Sequence, residues 1–232
     1  MSRKTQLGFI HRFIPSNKSS STARATSQGT KGEASYATLL LLHGTGGNEE
    51  DLIPLGQQIA PYAAILSVRG KVLENGMPRF FRRLAEGVFD IDDLKFRTYE
   101  LADFVERASK VYGFDLTYIV AVGYSNGANI AASSLLLRPA IMSSAILFRP
   151  MVPLIPETFP DLSTKHVYIS AGLHDPIVPS QETKNLFNLL KKAGVNDISM
   201  NWQNSGHELT LEEIRDARDW LLNVIPSNNK RK

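Results

Sequence analysis

Apolar positions along this chain form short runs that alternate with longer stretches at helical spacing. Residues 37–42, Ala-Thr-Leu-Leu-Leu-Leu, are apolar but for one threonine, as expected of a strand covered on both faces. Residues 63–68, 117–122, 144–148, 166–170 and 197–202 predict further strands. Between them, 48–60 reads as a helix whose acidic first turn (Glu49, Glu50, Asp51) suits the positive end of the helix dipole. Residues 99–112 place Leu101, Phe104, Val105 and Ala108 at helical spacing, and another apolar helix follows residue 125. Residues 180–193 are amphipathic and stop at Gly194. Thr210-x-x-Glu213 is a capping-box pattern opening a helix to Val224, with Pro226 just beyond. Strands alternating with helices imply a mainly parallel sheet with helices on both faces.

The first stretch differs. Residues 7–14 alternate enough to form a strand, but 16–35 are rich in Ser, Thr, Lys and Gly without apolar periodicity. No domain-sized piece precedes that segment, so it reads as a mobile loop within a hairpin and not as a linker. The predicted organisation is one domain. Residues 1–36 supply a strand and a polar mobile loop, 37–226 the catalytic core, and 227–232 a disordered basic tail.

Composition narrows the class. An apolar fraction of 43% and a charged fraction of 21% are ordinary for a globular protein, and no run is long enough to span a bilayer. The absence of cysteine excludes disulfides, thiol catalysis and thiolate metal sites, and fits a cytoplasmic protein. The basic N-terminus lacks the continuous apolar stretch of a secretory signal, although its Ser/Thr-rich, acid-free character leaves a transit peptide open. Six basic residues fall in 1–32 and three in 230–232, whereas all 23 acidic residues lie between. The net charge of +3 therefore belongs to the ends, which read as solvated termini and not as a nucleic-acid surface.

The candidate chemistry starts at Gly123-Tyr124-Ser125-Asn126-Gly127, a G-x-S-x-G run between an apolar strand and a helix. In that context the motif forms a sharp turn that exposes the serine, and the glycines let strand and helix pass closely. A glycine-rich turn with an incidental serine is the plain alternative. A serine nucleophile needs an acid and then a histidine downstream. His166 lies in an apolar strand and reads as structural. Asp175 and His207 each follow a strand, at the C-terminal edge where α/β sites gather. Asp175 is then the orienting acid and His207 the base, with His174 a weaker candidate because it adjoins Asp175 in the chain. Leu42-His43-Gly44-Thr45-Gly46-Gly47 is a glycine-rich turn after a buried strand. The N–H groups of Thr45 and Asn126 are the expected oxyanion donors. The turn lacks the Lys-Ser/Thr ending of a phosphate loop, and His43 with Glu49, Glu50 and Asp51 makes a poor metal set because helical spacing would aim them apart.

These residues together resemble a known family. Residues 41–52 (Leu-Leu-His-Gly-Thr-Gly-Gly-Asn-Glu-Glu-Asp-Leu), 123–129, Asp175-Pro176-Ile177-Val178-Pro179 and Ser205-Gly206-His207-Glu208 look like the small carboxylesterase/phospholipase branch of the α/β hydrolases, which includes the acyl-protein thioesterases. Residues 68–94, with Arg69-Gly70 and 74–83, look closer to its bacterial carboxylesterases, some associated with hydroquinone metabolism. The resemblance spans about residues 37–225 and implies an α/β-hydrolase fold, the triad Ser125, Asp175 and His207, and a homodimer; the lid is expected to be minimal because no long insertion follows the strand at 144–148. Asn126 stands where acyl-protein thioesterases usually carry Gln, which argues against protein depalmitoylation.

Residues 77–89 mix aromatic and basic groups, and read as a loop or short helix burying its phenylalanines, combined with a flap over the site. In the flap reading Met77, Phe80 and Phe81, together with Ile177, line an acyl pocket. Residues 149–163 are proline-rich and form at most a stiff rim. The expected protein is a serine carboxylesterase for small-molecule esters of short to medium acyl length, without metal or cofactor. A thioesterase or lysophospholipase with the same triad is the alternative. A non-catalytic binding protein on the same fold is the alternative of another class.

Overall fold

A computed structural model describes residues 7–16 and 37–224. In chain order, β1 (His11–Ile14), β2 (Thr38–Leu42), α1 (Ile53–Ile59) and β3 (Ala64–Val68) come first. Two small hairpins follow, β4 (Val72–Glu74) with β5 (Met77–Arg79) and β6 (Arg83–Ala85) with β7 (Val88–Phe89). Then come α2 (Ile91–Tyr112), β8 (Ile119–Tyr124), α3 (Asn126–Leu137), β9 (Ser144–Phe148), β10 (His166–Gly172), α4 (Ser180–Lys192), β11 (Asp197–Gln203) and α5 (Leu211–Val224).

Seven strands form one sheet in the order β1-β3-β2-β8-β9-β10-β11, parallel throughout except for β1. Strand alternation splits the core in two. Leu40 and Leu42 join Leu66, Ala121 and Leu147 in a cluster with Leu101 and Phe104 of α2, Ile130 of α3 and Leu186 of α4. Leu39 and Leu41 point the other way, with Ile65, Val122 and Ile146, against Leu55 and Ile59 of α1 and Ala217 and Leu221 of α5. The apolar run of β2 is thus used on both faces, as its sequence requires.

The chain leaves β2 toward β3 on one side and later returns to build β8, β9, β10 and β11 on the other. Strand order therefore reverses between β2 and β8. The loops at their C-terminal ends diverge there and leave a crevice, which is where ligands of such sheets bind.

Three expectations are corrected. β1 pairs antiparallel with β3 and not with β2, so 7–42 is not a hairpin. The strand is held at that edge by α2: His11 is buried, its Nε2 lies 2.7 Å from the Tyr112 hydroxyl, and Phe13 stacks on the Tyr112 ring. The expected loop over 16–35 and tail over 227–232 lie almost wholly or wholly outside the described residues. Next, α1 begins at Ile53, with Pro54 in its first turn, where a missing N–H costs nothing. Glu49, Glu50 and Asp51 sit in the preceding turns. Glu49 pairs with Arg69, and Asp51 accepts the Asn48 N–H at 3.2 Å. Finally, α2 starts two turns earlier than the apolar spacing indicates. The Asp90 carboxylate caps it by accepting the Asp93 N–H at 3.1 Å, and Gly113 ends it at φ +75°. At the far end of the chain the capping box is present: Glu213 takes the Thr210 N–H and Thr210 Oγ1 takes the Glu213 N–H.

Close packing of α3 against the sheet depends on glycine. A Cβ at Gly127 would lie 1.9 Å from the Leu42 carbonyl oxygen, and one at Gly123 would lie 2.5 Å from the Gly127 carbonyl oxygen. Both neighbours are backbone and cannot rotate away. Gly127→Ala should therefore destabilise the fold by at least about 2 kcal/mol, the upper part of the usual overpacking cost. Urea unfolding would register this as a lower midpoint at unchanged slope.

Candidate active site

Ser125 sits between β8 and α3 with φ +53° and ψ −113°, a conformation that non-glycine residues rarely adopt. Its N–H donates to the Phe148 carbonyl at 2.9 Å, which fastens the turn to the end of β9. The strain is thus over-determined by the sheet on one side and by α3 on the other. The Ser125 side chain is projected away from the strand, as a nucleophile elbow requires.

Register delivers the other two groups. β10 and β11 pair in parallel up to Gly172 opposite Gln203, and the pairing continues beyond the strands: the Leu173 N–H reaches the Gln203 carbonyl and the His174 N–H that of Ser205. The loops carrying Asp175 and His207 therefore run side by side. His207 Nδ1 lies 2.8 Å from Asp175 Oδ2, and His207 Nε2 lies 3.0 Å from Ser125 Oγ. With Nδ1–H donating to the carboxylate, Nε2 is left with its lone pair toward the serine. The Asp175 side chain is 1% exposed, and its other oxygen accepts the Ile177 and Val178 N–H groups at 2.8 and 3.0 Å. Those bonds set its orientation.

The Asn126 N–H opens α3 and so has no acceptor within the helix. Thr45, exposed in the turn after β2, has an N–H without an acceptor among the described residues, while the Gly46 N–H is spent on the Pro78 carbonyl. Gly127 brings the start of α3 against Leu42, so these two donors flank the same crevice. Arg79 Nη1 donates to Thr45 Oγ1 at 2.7 Å, and the Phe80 N–H donates to Asn126 Oδ1 at 2.7 Å. The β5 segment therefore braces both donor residues.

Several groups at the site carry no motif. Arg149, immediately after β9, is fully buried at φ +56°. Its Nε donates to the Gly206 carbonyl at 3.0 Å and its Nη2 to the Glu208 carbonyl at 2.7 Å. It also forms a two-armed ion pair with buried Glu213 at 2.6 and 3.0 Å. The Tyr124 hydroxyl donates to the His207 carbonyl at 3.0 Å. Burial pushes the Tyr124 phenol above its ordinary value, and nearby carboxylates including Asp175 and Glu208 add to this, so the hydroxyl stays a donor. A lone arginine directly after an apolar strand, at the edge that carries the motif, was the only signal for Arg149.

The tentative pocket residues divide. Phe80 and Phe81 are 2% and 0% exposed and pack within the core, so neither lines an open cleft; this corrects the flap reading for both. Segment 77–89 forms strands and not a helix: β5 with the β6–β7 hairpin, the phenylalanines turned inward between them. Met77 and Ile177 are exposed, and Met77 lies over Gly46 beside the Thr45 turn. His166 stands at the opposite end of its strand and meets Asp197 at 2.6 Å. His174 is exposed and bonds Asn204. Among the described residues no group of three acidic or histidine side chains could hold a metal, and no helix is long and apolar enough to cross a membrane.

The sheet order, the strained serine turn and the acid and histidine loops at one sheet edge together define an α/β-hydrolase fold. The family model for phospholipase/carboxylesterase matches residues 28–225. MhqD of Bacillus subtilis (strain 168) is 50% identical over 187 residues, covering 81% of this chain and 93% of MhqD. The crystal structure of the Bacillus cereus carboxylesterase superposes with a TM-score of 0.87 at 45% identity, covering 96% of this chain and 97% of that one. Acyl-protein thioesterase 1 of Emericella nidulans is 33% identical over 76 residues, 32% of this chain and 31% of that protein. The chain belongs to the phospholipase/carboxylesterase family and is an esterase-type hydrolase.

His43, at the base of the donor turn, is a pH-sensitive support. Its Nδ1–H donates to the Gly44 carbonyl at 2.6 Å and its Nε2 accepts the Gly70 N–H at 3.0 Å, so the ring is neutral. Burial holds its pKa below the ordinary 6.5. A folded-state value below the unfolded one means the contribution to stability is complete above pH 6.5 and is lost as pH falls from there toward the folded-state value. His43→Gln, whose side-chain oxygen can still accept the Gly70 N–H, should show a shallower fall in Tm between pH 7 and 5 than the wild type. Parallel Tm–pH profiles would contradict this role.

Proposed function

We propose that this chain is a serine carboxylesterase acting on small-molecule esters of short to medium acyl length. The observation that carries the reading is the unbroken Asp175–His207–Ser125 hydrogen-bond line ending at a strained turn. Ser125 Oγ attacks the ester carbonyl while its proton passes to His207 Nε2. The carbonyl oxygen becomes an oxyanion, held by the N–H groups of Thr45 and Asn126; losing one such donor costs on the order of 10²- to 10³-fold in rate. Collapse expels the alcohol, which takes the proton from His207, and the acyl group stays on Ser125. Water then gives a proton to His207 and attacks the acyl carbon, and the acid departs as Ser125 regains its proton. Asp175 holds the imidazole in the Nδ1–H tautomer and stabilises its charge while it carries the second proton.

Exposed Met77, which lies over Gly46 beside the Thr45 turn, and exposed Ile177, two residues beyond Asp175, serve as apolar walls for the acyl chain. The thioesterase reading uses the same machinery and has the local likeness to acyl-protein thioesterase 1 in its favour. A homodimer and a cytoplasmic setting are part of the proposal; light scattering on the purified protein reads the former.

With a chromogenic butyrate ester, Ser125→Ala should lower kcat by on the order of 10⁴-fold or more, and Asp175→Asn by on the order of 10⁴-fold. Full turnover by Ser125→Ala would remove the mechanism. A fluorophosphonate probe should add to Ser125, seen by peptide mass spectrometry; no adduct would point to a binding protein on this fold. Oxygen esters and thioesters of graded chain length then separate esterase from thioesterase.

A further inference from the structure

The structure assigns Arg149 as a positioning residue for His207, an inference that rests on the triad reading above. Three consecutive carbonyls around the histidine are each held by a side chain. Arg149 Nε takes Gly206, the Tyr124 hydroxyl takes His207 itself, and Arg149 Nη2 takes Glu208. Arg149 Nη2 also donates to Ser205 Oγ at 3.0 Å. One guanidinium therefore fixes the loop on both sides of the base. Its Nε is also 3.9 Å from Asp175 Oδ2, so the same planar group borders the acid.

This arrangement is costly, which argues that it is retained for more than cohesion. Arg149 and Glu213 are both fully buried, and a buried ion pair is often no more stabilising than apolar residues of similar volume. Arg149 also keeps a left-handed backbone conformation that non-glycine residues avoid. That turn lies one residue beyond Phe148, whose carbonyl holds the Ser125 N–H, while the Arg149 N–H reaches the Ser170 carbonyl of β10. Arg149 thus ties the end of the nucleophile's neighbouring strand to the loop of the base. Glu213 caps α5, grips the guanidinium and accepts the Ser170 hydroxyl at 2.6 Å, so it fixes Arg149 in turn. A lysine cannot reproduce the fork, because its ammonium is a point donor.

The positioning role predicts a loss in kcat with little change in KM, because a misplaced base affects proton transfer and not the binding of substrate. A shift of about 1 Å in such a group costs on the order of 10²-fold. The test is the double variant Arg149→Met/Glu213→Leu, which removes both charges together, with Arg149→Lys beside it. Circular dichroism and urea unfolding give the folded fraction, and turnover is corrected to it. The expected result is that kcat for a butyrate ester falls about 10- to 100-fold in the double variant and about tenfold in Arg149→Lys, with KM within about threefold of wild type. If only one variant folds, that variant decides. Wild-type kcat per folded molecule in either variant, or a loss confined to KM, overturns the role. Ser125→Ala is assayed alongside. Activity in Ser125→Ala would sink the nucleophile and this inference with it. An inactive Ser125→Ala beside undiminished Arg149 variants would sink this inference alone.

Discussion

The first turn of α3 lies directly against the carbonyl end of β2, at a distance where residue 127 can have no side chain. That contact sets the geometry of everything around it. It makes the chain turn sharply out of β8, and the turn is what forces Ser125 into its positive-φ conformation. It also brings the N–H that opens α3, which has no acceptor within the helix, beside the turn that follows β2. A looser approach would relax the serine and separate the two donors. The strain at Ser125 is held by its N–H bond to Phe148 at the end of β9 and by the packing of α3 on β2, so the cost falls on a well-packed core and not on a mobile loop.

Parallel register does for Asp175 and His207 what helix packing does for Ser125. β8, β9, β10 and β11 run the same way, and their C-terminal ends stand in one row. Ser125, Arg149, Asp175 and His207 all come from the loops of that row. The backbone bonds from Ser125 to Phe148 and from Arg149 to Ser170 show how each strand end is indexed to the next. Loops are the most variable part of a fold, yet these continue the sheet's own hydrogen bonding past the last paired residue. Residues on them inherit the rigidity of the strands.

Much of this was legible in the chain. G-x-S-x-G between an apolar strand and a helix, with a later Asp and His each following a strand, pointed to the three groups that the structure brings into one line. The helix over 48–60 is shorter than its sequence suggests: three acidic residues look like a dipole-matched first turn, whereas Pro54 and the pull of Arg69 on Glu49 start the helix later. Phe80 and Phe81 read both as core and as pocket walls, because aromatic residues near a site suit either. Only the inward turn of the β5 segment, braced to Thr45 and Asn126, decides for the core.

The sequence by itself determined the alternation of strands and helices, the burial of β2 on both faces and the identity of the nucleophile, acid and base candidates. Each of these depends on local periodicity or on residue types that few structural roles require. The tertiary structure alone decided the partner of β1, the inward turn of the phenylalanines and the place of Arg149. Strand partners are chosen by contacts distant in sequence, and β1 follows the ring of Tyr112, about a hundred residues away. The Arg149 contacts likewise reach more than fifty residues along the chain to carbonyls and a carboxylate that carry no mark of their partner until the sheet has closed.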